Sequence, residues 1–371
     1  MVPLDDFCTI LASELHILSS LVCGTEDSCK SWSEQLVNKM MLKMRFCVVL
    51  TVALGLASVQ LHATNVNPFT DLNNGAGPGS WRVLTLGICT TVNPISCDQT
   101  GNNNVSLSSN SQIVEGNVGV GPHGNIALTG AGSAIRGDLD LQNGTIPSFG
   151  SGTNIFGTIN NGVSGINANT ILNTAVASAL VAYNDARNDA ATIGVTNIGN
   201  LGTTQTINVG DGLNVINLSN LTLTTGGNLV LNATGTNPST TTVVINVTGT
   251  FTVINDASIT ESGGLPNYNV LINVVGTGTG VCITGGSSAS CSSPSPVGFS
   301  TVDAVILSPD RTVAMDAGVV DGEVIAGGTT TGTGLTLTKT STIDAPEPAT
   351  LLLVSTGLTS LYLRRRRRKL S

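Results

Sequence analysis

Between Glu115 and Leu337 the chain repeats one device, a short apolar run closed at both ends by glycine or asparagine. Examples are Glu115-Gly-Asn-Val-Gly-Val-Gly, Gly124-Asn-Ile-Ala-Leu-Thr-Gly, Arg136-Gly-Asp-Leu-Asp-Leu and Phe156-Gly-Thr-Ile-Asn. Alternation at period two puts the apolar residues of such a run on one strand face, and glycine and asparagine accept the positive φ of tight turns. A strand this short cannot bury a core alone. It must stack on others of its kind, which constrains the chain to a wound body of β rungs. The runs keep no fixed period, so the expectation is an all-β fold, an irregular β-solenoid (β-helix), with a β-sandwich as the alternative.

Composition agrees with that reading. Charged residues make up 10% of the 371 and aromatics 3%, and helix formers are rare beside threonine, valine and isoleucine. From Gln205 the runs grow denser, as in Thr242-Val-Val-Ile-Asn-Val-Thr and Asn269-Val-Leu-Ile-Asn-Val-Val. Strands apolar at nearly every position predict cover on both faces. One segment breaks the pattern. In 170–191, residues Ile171, Leu172, Ala175, Val176, Ala179, Leu180 and Tyr183 recur at steps of three and four, which predicts one amphipathic helix flanking the β body. Asn184, Asp185, Arg187, Asn188 and Asp189 are its expected wet face.

The two ends read differently. Residues 1–40 carry acids and cysteines unlike the body and look like a misassigned extension, with translation starting at Met41 or Met44, or at Met40. In 41–63, Lys43 and Arg45 precede the apolar Phe46–Ser58 and a Leu-His-Ala ending, the layout of a signal peptide. An exported domain over 64–335 and a linker over 336–345 follow. The chain then runs Pro346-Glu347-Pro348, an uncharged helix over 349–363, and the basic block Arg364, Arg365, Arg366, Arg367, Arg368 and Lys369. The apolar stretch is shorter than the roughly 20 residues a comfortable span needs. The basic block predicts a cytoplasmic end, with the body outside.

This ending closely resembles the PEP-CTERM sorting signal of bacteria that make exopolysaccharide, on Pro346, Glu347 and Pro348, the apolar helix and the Arg364–Lys369 cluster over 346–371. The resemblance implies recognition by an exosortase, a membrane-embedded cysteine-dependent enzyme, and cleavage near the Pro-Glu-Pro. Transient membrane anchoring, then release to the cell surface or extracellular matrix of a Gram-negative-type bacterium, follows from it. The body resembles the choice-of-anchor A domain on Glu115–Leu141, Asn214–Leu231, Val243–Val253, Asn269–Val275 and Ala304–Asp310 with Asp321–Gly328, departing at Ser308 and in the Cys282–Cys291 insertion. The layout of short β repeats, one helix and more repeats also resembles the ice-binding-like β-solenoid family. Both imply an exported β-helical module, and neither implies an enzyme.

Few residues suggest chemistry. Between Thr64 and Ala345 the basic residues are Arg82, Arg136, Arg187, Arg311 and Lys339, against acids spread throughout, which argues against nucleic acid as a partner. Cys89 with Cys97, and Cys282 with Cys291, form two close pairs suited to loop disulfides in an oxidising compartment, with three connectivities open. Asp138 and Asp140 share a strand face, as a calcium-binding pair or as two solvent-facing acids. Asp310, Arg311, Asp316, Asp321 and Glu323 form the densest charged neighbourhood, where a glycan-cleaving acid would be sought. His123 is the one histidine after the signal peptide, so no Ser-His-Asp set forms around it. Threonine runs such as Leu221-Thr-Leu-Thr-Thr and Leu335-Thr-Leu-Thr-Lys-Thr suggest a hydroxyl-lined flat face, although threonine also suits any exposed strand. The reading is a non-enzymatic, cofactor-free surface protein with a structural or adhesive role linked to exopolysaccharide. Its alternatives are ice binding or other flat-surface recognition, and glycan cleavage.

Overall fold

The computed structural model describes residues 66–344 except 78–79, 87, 93–94, 99–103, 110–112, 122–123, 143–146, 162–165, 288–290, 292–297 and 328–333. The chain divides at Thr64, and all that follows concerns the unit beginning at Asn65. The signal-peptide segment, the sorting tail with its helix, His123 and the side chains of Cys89 and Cys97 lie outside the described residues.

The strands form three parallel nine-stranded sheets, and each coil gives one strand to each sheet. That is a solenoid and not a sandwich. The helix-side sheet runs β12 (Ile159–Asn161), β9 (Leu139–Leu141), β6 (Val118–Val120), β1 (Val83–Thr85), β27 (Glu323–Ala326), β24 (Val305–Ser308), β21 (Val270–Val274), β18 (Thr242–Val247), β15 (Leu213–Leu218). The loop-side sheet runs β10 (Ser148–Phe149), β7 (Ile126–Leu128), β4 (Val105–Ser108), β28 (Leu335–Thr338), β25 (Val313–Asp316), β22 (Val281–Thr284), β19 (Phe251–Ile254), β16 (Leu221–Leu223), β13 (Ile198–Leu201). The open sheet runs β11 (Asn154–Ile155), β8 (Ala134–Ile135), β5 (Ile113–Val114), β29 (Thr342–Asp344), β26 (Gly318–Asp321), β23 (Ser300–Val302), β20 (Ser258–Ser262), β17 (Asn228–Ala233), β14 (Thr204–Val209). A separate antiparallel hairpin, β2 (Ile88–Val92) and β3 (Ile95–Asp98), sets Cys89 opposite Cys97.

The winding starts in the middle. From β1 the chain coils to one end at β12, crosses to the far end through a helix, and coils back from β13 until β28 and β29 close the coil that β1 began. Both ends of the domain therefore share one coil. Residues 336–344, expected as a linker, complete that coil, because Leu337 and Ile343 point inward and are fully buried. Coil length varies from 18 residues, where Val305 faces Glu323, to 43, where Ser258 faces Thr301. Long corners absorb the difference, which is why the strand rows stay in register while the sequence shows no period.

Inward residues from all three sheets make one continuous core. A second core lies outside the helix-side sheet, whose strands β18, β21, β24 and β27 are buried at every position. This is what their apolar runs predict. Its cover is α2 (Ile166–Asn188), after the short α1 (Pro68–Leu72). Leu172, Ala175, Val176, Ala179, Leu180 and Tyr183 of α2 pack on Val215, Val244, Leu271 and Val305. At Gly119 a Cβ would come within 2.9 Å of Leu172 and Trp81, so only glycine admits the helix there. Two expectations for α2 change. Ile171 is 55% exposed on the flank of the helix. Asp189 is buried, accepting a hydrogen bond from the Val66 amide at 3.0 Å.

Polar groups fix the helix in place. Asn217, Asn246 and Asn273 stack in register on neighbouring strands. Asn273 donates to Asn246 and Asn246 to Asn217, each at 2.8 Å. The same amides donate to the carbonyls of Tyr183, Ala186 and Asp189. Late carbonyls of a helix need partners, and burying them unpaired is costly. The ladder supplies those partners.

Candidate functional site

With α2 over one sheet, two outer surfaces remain. On the open sheet, outward residues fall into straight rows because parallel strands repeat at about 4.8 Å. One row runs through Thr204, Asn228, Ser258, Thr301, Val319 and Thr342 and continues across the remaining coils. Beside it lie Thr206, Val230 and Thr260, and beyond those Asn208, Asn232 and Ser262. Side chains are tied across the strands: Asn232 donates to Asn208 at 2.9 Å, Ser262 to Asn232 at 2.9 Å and Ser258 to Asn228 at 3.1 Å. The result is a three-by-three grid of hydroxyl, amide and methyl groups. Such a grid can present ordered contacts to a repetitive partner.

The second row changes character past Thr260. It continues through Asp303, Asp321, Asp344 and Glu115 and ends at Arg136 and Phe156. Arg136 pairs with Glu115 at 2.8 Å and lies over the Phe156 ring, 5.6 Å from its centroid. Carboxylates stacked on successive rungs resist ionisation. Burial, then Asp321, pushes Asp303 up to about 6, and burial with Asp303 pushes Glu261 up to about 9. Asp344 is raised by burial and by Glu115 and Asp321. At the same corner Glu323 is fully buried beside Arg82, and burial raises it well above the usual carboxylate range.

The loop-side sheet has a similar outward row: Ala127, Ser106, Thr336, Ala314, Cys282, Thr252 and Thr222. Here, however, Cys282 is joined to Cys291, with Cα atoms 5.6 Å apart, and the Cys291 sulfur sits 3.2 Å from the Ala314 carbonyl. The outward residues Thr252, Thr284 and Asp316 are buried, Asp316 against Lys339 and Thr338. This surface is roofed in its middle.

The charged neighbourhood seen in the sequence is dispersed by the fold. Asp310 accepts a hydrogen bond from the Tyr183 hydroxyl at 2.6 Å and docks α2. Arg311, 2% exposed, donates to the carbonyls of Gly249, Thr248, Val275, Gly276 and Thr279, clamping two corners of the coil stack. Asp316 pairs with Lys339 at 2.9 Å on the loop-side sheet. Asp321 and Glu323 belong to the opposite corner. Asp138 and Asp140 do share the outward side of β9. Asp138 accepts from the Thr158 amide and Asp140 from Asn160, each tying its rung to the next. Among the described residues no group of three acids, histidines or cysteines could hold a metal ion, nor is any helix long and apolar enough to cross a membrane.

Sequence reading missed the open-sheet rows. Their members stand 18 to 43 residues apart, so no local motif marks them.

Against known families, residues 82–337 match the ice-binding-like adhesive domain. The chain belongs to that family. It is the second of the two resemblances read for the body, and the family is an adhesive rather than an enzyme family. Residues 344–368 match the PEP-CTERM protein-sorting motif, which implies an exosortase-type processing enzyme and an exported, cell-surface protein. No curated protein matches the chain. Solved structures similar to this adhesive domain include an ice-binding protein from the Antarctic ascomycete Antarctomyces psychrotrophicus, at 15% identity and TM-score 0.35, covering 72% of this chain and 95% of that one. An ice-binding protein from an Arctic yeast gives 14% and 0.34, covering 73% and 94%. The Shewanella frigidimarina ice-binding protein gives 14% and 0.34, covering 74% and 97%. Values this low carry nothing about function.

Proposed function

We propose that the chain is a cell-surface adhesin whose open sheet lies against a repetitive, hydroxyl-rich target in the exopolysaccharide around a Gram-negative-type cell. The observation that carries this is the unroofed grid on β14, β17 and β20, held rigid by hydrogen bonds across the strands. A pre-ordered polar surface loses little conformational entropy on binding, which favours many weak contacts over one deep pocket. Co-sedimentation of purified 64–345 with exopolysaccharide from the host tests the reading. Retention is expected, and it should fall when Thr206→Tyr and Thr260→Tyr are combined; a chain that stays in the supernatant removes the polysaccharide partner.

Ice binding is the second reading, favoured by the flatness and two-dimensional repeat of the same grid. Freezing-point hysteresis measured on the same fragment decides it, and no hysteresis removes it. For delivery, 41–63 acts as the signal peptide, 1–40 precedes the true start, and the apolar 349–363 helix holds the precursor in the membrane until the enzyme cuts near Pro346–Pro348. Terminal peptides identified by mass spectrometry on the precursor check the start. Any peptide from 1–40 rules out the internal start.

A further inference from the structure

We infer that the folded domain shields its own sorting site, so that processing requires β29 to be off the solenoid. This rests on the sorting reading above and goes beyond it, because it fixes when in the protein's life the cut is made. The sorting match begins at Asp344, which is also the last residue of β29. Only Ala345 separates that strand from Pro346.

Strand β29 is not a loose end. It lies inside the stack, with Thr342 and Ile343 paired to Val319 and Val320 of β26 on one side and to Ile113 and Val114 of β5 on the other. Ile343 is fully buried. The Ile343 carbonyl accepts from the Glu115 amide at 2.9 Å, and the Asp344 carbonyl from the Gly322 amide at 3.1 Å. Backbone groups on both edges of the strand are thus already taken.

A processing enzyme needs those same groups. When the peptide bond is cut, its acyl half passes to the enzyme's nucleophile. The downstream half leaves as a free amine that takes up the nucleophile's proton. Enzymes that cut chains hold several residues extended on each side of that bond, commonly by strand-like backbone pairing. For a cut just before Pro346 the four upstream residues are Thr342 to Ala345, three of which form β29. Distance adds to the difficulty. From Asp344 to the start of the apolar stretch at Ala349 there are five steps of chain, which reach at most about 17 Å when fully extended. A membrane-embedded enzyme acting on the folded domain would have to work within that gap. Cutting before the β28–β29–β1 coil closes, or during its opening, avoids both obstacles.

The experiment uses full-length precursor, folded and held in detergent, mixed with membranes of the host as the source of enzyme. It is compared with a variant carrying a flexible spacer of about ten Gly/Ser residues between Asp344 and Ala345, and with Ile343→Asp, which weakens docking of β29. Thermal melting confirms that the spacer variant keeps its fold. If the native chain is cut only when β29 is open, its rate is scaled down by the open fraction. The spacer chain is then expected to be cut about tenfold faster or more. Equal rates for native and spacer chains overturn the shielding. If neither is cut, the sorting reading fails first and the inference falls with it.

Discussion

The loop-side and open sheets both carry outward threonine and serine in register, yet they end in different states. On the loop-side sheet Thr252, in register with the disulfide-bonded Cys282, is 2% exposed, while Thr206, facing outward on the open sheet, is exposed. Composition therefore does not decide which face is free to meet a partner. What packs around the face decides it, as at Asp316, which lies under Lys339 and Thr338. Roofed polar groups become part of the structure, and open ones remain available.

The largest effect should come from a polar group buried at the corners of the coil stack, Arg311. Arg311→Ala leaves the corner carbonyls that the guanidinium served without donors. Several buried acceptors unmet at once predict a loss on the order of 4 kcal/mol, or about 10 °C in Tm for a domain of this size. Differential scanning calorimetry measures it. A change below about 1 kcal/mol would mean that water reaches those corners and that they are not roofed.

Next in size is the pH response of the acids carried by the open sheet. Glu261 and Asp303 sit at about 9 and about 6, above their values in an unfolded chain. The folded state then keeps protons that the unfolded state has lost, so stability is greatest below the unfolded carboxylate range and falls as pH rises to about 9. Tm measured from pH 4 to 10 should decline across that window, and Glu261→Gln should flatten the upper part of the decline. A flat native profile would place the row in full contact with water.

Reduction of the Cys282–Cys291 bond compares the two faces most directly. Closing a loop of sequence separation 9 contributes about 2.5 kcal/mol in the chain-entropy view. Reductant should lower Tm accordingly and open Thr252 and Thr284 to solvent, seen as faster hydrogen exchange on β19 and β22. Exchange on β14 and β17 should not change.

The contrast between roofed and open also divides what could be read from the sequence. The solenoid, the helix and the covered strands β18 and β21 were legible, because each rests on local periodicity: Val243, Ile245 and Val247 face one core and Val244 the other. Winding from the middle was not, because nothing near Val83 records that its partners are Val118 and Val324. The charged residues from Asp310 to Glu323 looked like a site because they are close in sequence. Corners of the coil then sent Asp310 to Tyr183, Asp316 to Lys339 and Glu323 to Arg82. The open-sheet grid is invisible for the opposite reason, since Thr206, Val230 and Thr260 meet only after two coils are wound.

The smallest expected change tests the comparison with one substitution made twice. Thr252→Tyr puts a large ring at a position that is already buried, and overpacking of that kind costs about 1–3 kcal/mol. Thr206→Tyr puts the same ring on an open strand, where tyrosine suits the pleated surface and stability should stay within about 0.5 kcal/mol. Binding should respond in the opposite sense. The ring at Thr206 stands up from a flat grid and holds a flat target away, so polysaccharide retention or hysteresis, whichever the domain shows, should drop while the fold is intact. Thr252→Tyr should lose stability and keep that activity at temperatures where it is folded. Loss of activity from Thr252→Tyr alone would move the recognition surface to the roofed sheet, and the loop would then be part of it.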